Sequence, residues 1–166
     1  MPEEYQETLR GLCWKRDYLK LIFSAATDVN AGFRPTIDAI EDGMPTRLVQ
    51  FRIDDDDCLC PTYIQQLRKA ADRFSDLDAF SYSIPKGLVA TAYTDRPPKY
   101  NELYQPFHSG GCAVRPHRRG FTVFSYGHFS LMTRFPALID NSGLGHLALK
   151  LDDQDSEKLF LSERAR

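Results

Sequence analysis

Thr46-Arg-Leu-Val-Gln-Phe-Arg-Ile53 runs directly into Asp54-Asp55-Asp56-Asp57, and Pro61 then opens a stretch that sets Tyr63, Leu67, Ala71 and Phe74 on one helical face. The first segment has the apolar, β-branched character of a buried strand, and the last is an amphipathic helix. Strand, acidic turn and helix in that order form the unit of an α/β fold. Upstream, Pro2 and the acids after it suit a helix N-terminus, with Tyr5, Leu9 and Leu12 sharing a face. Tyr18-Leu-Lys-Leu-Ile-Phe23 reads as a short buried strand. Residues 32–43, with Phe33, Ile37 and Ile40 at helical spacing, read as a second helix closed by Gly43.

Downstream, Phe80, Tyr82 and Ile84 alternate before Pro85-Lys-Gly87 turns the chain into Leu88-Val-Ala-Thr-Ala-Tyr93, which predicts a hairpin. Residues 94–111 carry Pro97, Pro98, Pro106, Gly110 and Gly111 and read as a long ordered loop. Phe121-Thr-Val-Phe-Ser-Tyr126 reads as another strand. Ser130 to Ile139 starts a helix broken at Pro136, and from Leu147 the pattern is helical or irregular, ending in Asp152, Asp153, Asp155 and Glu157. There is no internal repeat.

With 166 residues, 42% of them hydrophobic and 27% charged, the chain suits one domain and excludes wholesale disorder. Twenty-one Lys and Arg against 23 Asp and Glu leave a net charge of -2, which excludes a bulk nucleic-acid or membrane-surface binder. Residues 1–10 have no apolar run of the secretory kind, and no stretch is long and apolar enough to span a bilayer. Cys13, Cys58, Cys60 and Cys112 are too few for a disulfide scaffold and suit reduced thiols, so a cytoplasmic location is expected.

Chemistry concentrates at the aspartates. Four adjacent carboxylates repel one another unless a cation relieves them, and ligands of open α/β sheets gather at the C-terminal ends of strands. A hard dication such as Mg²⁺ or Mn²⁺ takes oxygen ligands and bridges to substrate phosphates. The same run also suits a solvated acidic turn. Between Ile84 and Arg134 seven basic residues (Lys86, Arg96, Lys99, Arg115, Arg118, Arg119, Arg134) face two acids (Asp95, Glu102). Arg115 and Arg118 could grip a diphosphate or an anionic acceptor, although an exposed turn accounts for them too. His128 follows an apolar run by one glycine, where an imidazole reaches a site as a metal ligand or phosphate contact, or serves as a structural ring. Ser109-Gly-Gly-Cys112 is a weak phosphate loop, with no Lys-Ser/Thr after it.

Ile53-Asp-Asp-Asp-Asp57, set between a strand and a helix, resembles the Asp-x-Asp motif of GT-A glycosyltransferases. More narrowly, Arg52-Ile-Asp-Asp-Asp-Asp-Cys-Leu59 resembles the rhamnosyl transferase family. The later pieces Ile84-Pro-Lys-Gly-Leu88, Phe121-Thr-Val-Phe-Ser-Tyr-Gly-His128 and Phe135-Pro-Ala-Leu-Ile139 fit that family in order, so the resemblance covers nearly the whole chain. It implies a single GT-A-like domain over residues 1–166, a Rossmann-like mixed sheet flanked by helices, lacking the N-terminal βαβ unit that cradles the nucleoside. It further implies transfer of a sugar, rhamnose in the family's case, from a nucleotide-sugar donor to a glycan or lipid-linked saccharide acceptor. By the same resemblance Asp54 faces the donor ribose or sugar, Asp56 ligates Mn²⁺ or Mg²⁺, and Asp57 supports the sugar or the metal. Asp152 and Asp153, with Asp140 behind them, are candidates to take the acceptor proton or steady an oxocarbenium-like centre.

Two other readings compete. A phosphohydrolase would use Asp54 as nucleophile and Asp56 as general acid with Mg²⁺, but a strand at Tyr18 then precedes the one that should come first. A metal-binding remnant of a transferase would keep the turn without turnover. Cys58-x-Cys60 with His108, Cys112 and His117 lacks the paired knuckles of a zinc site.

Overall fold

A computed structural model of the chain describes residues 2–43 and 48–151. The class is α/β: helices α1 (Glu3–Cys13), α2 (Val29–Gly43), α3 (Tyr63–Arg73) and α4 (His128–Arg134) flank two four-stranded sheets. One sheet has the order β1-β6-β3-β7, built from Gln50–Phe51, Cys112–Arg115, Phe80–Ser83 and Ala137–Ile139. The other has the order β2-β8-β4-β5, built from Asp57–Leu59, His146–Leu151, Lys86–Ala92 and Lys99–Tyr104. Both sheets are mixed, since β7 runs parallel to β3 and β8 parallel to β4 while the other pairs are antiparallel.

The core lies on the first sheet. Every residue of β3 and β6 is buried. Tyr63 and Leu67 of α3 pack with Phe80, Tyr82, Ile84 and Ala113 in one cluster, while Phe107, Cys112, Val114, Phe121, Val123, Leu131 and Phe135 form a second. The helical face predicted for α3 is the face that packs. Helix α2 starts a turn earlier than expected because Asp28 caps it, its carboxylate accepting from the amides of Asn30 (3.1 Å) and Ala31 (3.2 Å). It docks on the 119–125 segment, where Phe33 stacks on Phe124 and the Glu41 carboxylate accepts from the Gly120 amide.

Several predicted strands are replaced. Residues 18–23 form no strand, and among the described residues no neighbouring strand pairs with them; Tyr18 is 82% exposed. The expected hairpin of Phe80–Ile84 with Leu88–Tyr93 does not form: Ile84 and Pro85 carry the chain from one sheet to the other, and β4 pairs with β5 from inside the supposed loop. Phe121 to Tyr126 is a turn. Its backbone is served by a side chain in place of a strand, the Gln50 amide donating to Phe121 O (2.8 Å) and accepting from Val123 N (2.9 Å). The predicted helix through Ile139 stops at Arg134, and after Pro136 the chain becomes β7. Residues from His146 are strand β8, with alternate side chains turned inward.

Candidate functional site

The four aspartates form the turn that joins β1 to β2 and so switches the chain between sheets. The Asp57 amide donates to Asp54 O (3.1 Å) and closes the turn, while Leu149 N of β8 donates to Asp56 O (2.8 Å). Arg52 N donates to Cys112 O, fixing the approach to β6. With the backbone held on both sides, the carboxylates fan apart. Asp54 meets the Arg52 guanidinium at 2.7 Å, and Asp56 meets Lys150 Nζ at 3.5 Å. Asp55 is exposed. Asp57 is buried and accepts from Ser109 Oγ (3.0 Å); burial raises its pKa, partly opposed by that hydrogen bond.

Two histidines, His108 and His128, lie near this turn, and a third, His146, packs behind His108. His108 is half-buried next to Asp57, and its ring stacks on His146 with centroids 4.9 Å apart and planes 5° from parallel. Burial lowers the His108 pKa, with the Asp57 charge opposing it. His146, on β8, is 3% exposed; burial, then the neighbouring His108, bring it down to about 4, so it is neutral at pH 7. Both His146 nitrogens and His108 Nδ1 are buried without a hydrogen-bond partner among the described residues. His128 opens α4 and is half-buried; burial and then the Arg52 charge lower its pKa, while Asp54 opposes them, so it belongs to the Arg52 side of the turn.

Glycines make this packing possible. A Cβ on Gly87 would stand 2.5 Å from His146 Nε2, and one on Gly110 would stand 2.9 Å from Asp57 Oδ2. Gly111 adopts φ +111°, a conformation open to glycine, with His146 and Tyr63 beyond it. Ser109-Gly110-Gly111 therefore serves as a close-packed wall against the acidic turn. Cys112, at its end, is fully buried, and burial pushes its thiol up to about 12.

The structure thus brings Asp54, Asp56, Asp57 and His128 into one neighbourhood. Arg115 has a different place. It is buried, and its guanidinium donates to the carbonyls of Ala71 (3.1 Å), Phe74 (3.2 Å) and Leu77 (3.3 Å) while covering the Phe80 ring, so it closes the C-terminal end of α3. Arg118 is exposed on the turn before Gly120. Asp140 ends β7 and accepts from the Tyr82 hydroxyl (2.9 Å) and the Ser142 amide (2.8 Å). Asp152 and Asp153 lie outside the described residues. The zinc candidates separate: Cys58 is exposed and His117 packs near Phe135. Sequence reasoning missed His146 altogether and did not join His108, Ser109, Arg52 or Lys150 to the turn. Only pairing of β8 with β2 and β4 brings them there, although the glycines before His146 and after His108 hinted at close approach.

Carboxylates are the donors that a hard divalent cation takes, and His108 Nδ1 is buried with no hydrogen-bond partner among the described residues. As they stand, no three His, Cys, Asp or Glu side chains among the described residues converge closely enough to hold an ion. An ion held at Asp56 would have to displace Lys150 from it. No helix among the described residues is long and apolar enough to cross a membrane.

No curated protein and no solved structure matches this chain. A family model described as "Putative rhamnosyl transferase" matches residues 1–163, and the chain belongs to that family.

Proposed function

We propose that this member of the rhamnosyl transferase family is a glycosyltransferase with a GT-A-like domain, moving a sugar from a nucleoside-diphosphate donor to a glycan or lipid-linked acceptor with Mn²⁺ or Mg²⁺. Rhamnose is the sugar that the family description suggests. The single observation that carries the reading is the acidic turn at the sheet crossover, with Asp54, Asp56 and Asp57 beside His108 and His128.

In this reading Asp56 and Asp57 are the carboxylates for the cation, Asp54 faces the donor ribose or sugar, and His128 lies on the Arg52 flank as a further ligand or phosphate contact. Arg118 is a candidate for the donor phosphates, and Asp152 and Asp153 are candidates to receive the acceptor proton. When bound, the cation acts as a Lewis acid toward the departing diphosphate. The chain's own part is positional. Backbone bonds at Asp56 and Asp57 hold the turn, and Ser109 fixes Asp57.

Calorimetric titration of UDP and dTDP, with Mn²⁺ and then with EDTA, tests the reading. Metal-dependent binding that disappears in Asp56→Ala, with the circular dichroism spectrum unchanged, is the expected result. Equal affinity in that variant would refute the site assignment. Phosphatase turnover lost in Asp54→Asn would select the hydrolase instead.

A further inference from the structure

Helix α1 buries none of its residues, and residues 14–20 beyond it are all exposed. The chain nevertheless folds there. Lys15 takes φ +62° and turns it sharply. The amides of Trp14, Arg16 and Leu19 donate to Gly11 O (3.2 Å), Cys13 O (3.1 Å) and Arg16 O (2.8 Å). The Arg16 guanidinium donates back to Leu12 O, and Arg10 lies over the Phe23 ring, 5.1 Å from its centroid. Residues 10–23 therefore form one compact turn at the end of α1. On it Leu12 is 60%, Trp14 72% and Tyr18 82% exposed, and Leu19 and Phe23 are open to solvent as well. Scattered apolar residues are ordinary on a surface, whereas five gathered in one such turn mark an interaction site.

The same turn is basic. Residues 10–23 hold Arg10, Lys15, Arg16 and Lys20 against Asp17 alone, in a chain whose net charge is -2. All four cationic residues are exposed, and none forms an ion pair among the described residues. We propose that this turn docks the chain on a bilayer surface that carries anionic lipid. Trp14, Tyr18 and Leu12 enter the interface, and the four cations meet the lipid headgroups. Tryptophan and tyrosine rings settle where an apolar body and a polar tip are both served. Long basic side chains lay their stems on apolar surface and keep their charge at the headgroups. Charge decides the occupant. A second copy of the chain would set cation against cation across a two-fold contact, and a neutral bilayer would leave all four unanswered. Glu3, Glu4 and Glu7 confine the contact to the C-terminal end of α1, because an anionic surface repels the other end. The acidic balance of the whole chain excludes adhesion through its entire surface, and so orients it with this turn toward the lipid. The contact is independent of the chemistry at the acidic turn.

The two halves of the contact respond differently. Salt screens the cations and leaves the aromatic part standing. Loss of the Trp14 ring weakens binding at any ionic strength.

The test mixes the full chain with phosphatidylcholine vesicles, either plain or with about one-third phosphatidylserine. Cosedimentation reads the bound fraction, and Trp14, the single tryptophan, reports through its emission. The wild type is expected to bind the anionic vesicles alone, with its emission moving to shorter wavelength. Lys15→Gln combined with Lys20→Gln should lose about fivefold in affinity for each charge removed, and Trp14→Ala about tenfold. Arg68→Gln combined with Lys69→Gln removes two exposed charges from α3 and should stay within about twofold of the wild type. Trp14 and both lysines lie outside the two core clusters, so circular dichroism should show every variant folded. Failure of the wild type to bind, an unmoved Trp14 emission, an equal loss in the α3 pair, or full affinity in Trp14→Ala overturns the proposal. Sedimentation equilibrium without vesicles tests the other occupant. A dimer that Trp14→Ala dissociates assigns the turn to a second copy and likewise overturns it.

Discussion

Replacing Arg115 by methionine keeps much of the side chain's volume and removes the guanidinium that closes α3. Three carbonyls, those of Ala71, Phe74 and Leu77, lose a charged donor at 3.1, 3.2 and 3.3 Å, and the Phe80 ring loses a cation 4.7 Å from its centroid. Hydrogen bonds to charged groups contribute about 1.5 kcal/mol each at the lower end of their range, and the ring contact adds about 1 kcal/mol. Relief from burying a charge returns part of this. A net loss of about 3 kcal/mol is expected, a large share of the roughly 5–15 kcal/mol by which domains are stable. With a urea dependence of about 2 kcal/mol per molar, the unfolding midpoint falls by about 1.5 M at unchanged slope. Far-UV circular dichroism during urea titration reads this directly. Arg115→Lys should recover less than half of the loss, because one ammonium cannot span three carbonyls. A midpoint that moves by less than about 0.3 M in Arg115→Met would refute the capping role. Lost metal-dependent UDP binding without that shift would return Arg115 to the donor site.

Gly87→Ala sets a Cβ 2.5 Å from His146 Nε2, and the ring is stacked on His108, so a cost of about 1–3 kcal/mol is expected; thermal melting checks it, and an unchanged midpoint would mean that the ring yields freely. Gln50→Ala strands Phe121 O and Val123 N, for a loss of about 2 kcal/mol. Gln50→Glu should be at least as damaging, since a carboxylate then faces the Phe121 carbonyl, and comparing the two melts tests that order. Acidification gives a fourth expectation. His146 is held down to about 4 in the folded chain by burial and returns to the ordinary 6.5 on unfolding. Below pH 6.5 the unfolded chain therefore binds a proton that the folded one refuses, so stability is lost as pH falls from about 6.5 toward 4. His108 and His128 shift in the same direction and add to the loss. His146→Phe should flatten this slope in urea titrations taken across that range, and an unaltered slope would show that the ring does not resist protonation.

The helices and the acidic turn were legible because their signals are local. The apolar face of α3 and the N-terminal acids of α1 need no knowledge of partners, and the acidic run stands out by composition, although the strand expected over Thr46–Ile53 is only Gln50–Phe51, with Thr46 and Arg47 outside the described residues. The strands were harder, because strand identity depends on what lies alongside. Phe121-Thr-Val-Phe has strand alternation, yet Gln50 from a distant segment satisfies its backbone with an amide group. Leu147, Leu149 and Lys150 read as helical or irregular, although β8 turns inward the small Ala148 and the polar His146 instead of Leu147 and Leu149. That inversion hid an inner strand of the second sheet, and with it the route by which Lys150 reaches Asp56 and His146 reaches His108. Tyr18 to Phe23 failed for the opposite reason, having a strand's composition and no strand to pair with among the described residues.

Trp14 is the chain's single tryptophan, and it stands 72% exposed at the end of a helix that buries none of its residues. Its indole is hydrated in the folded chain much as it would be in a denatured one. Emission from that indole therefore shifts little when the two hydrophobic clusters come apart, and a fluorescence melt would look flat while the core dissolves. Tyr63 and Tyr82, fully enclosed against α3 and β3, hold the optical signal of the interior. Near-ultraviolet absorbance or dichroism of those two rings is the channel in which the cooperative loss of this core becomes visible.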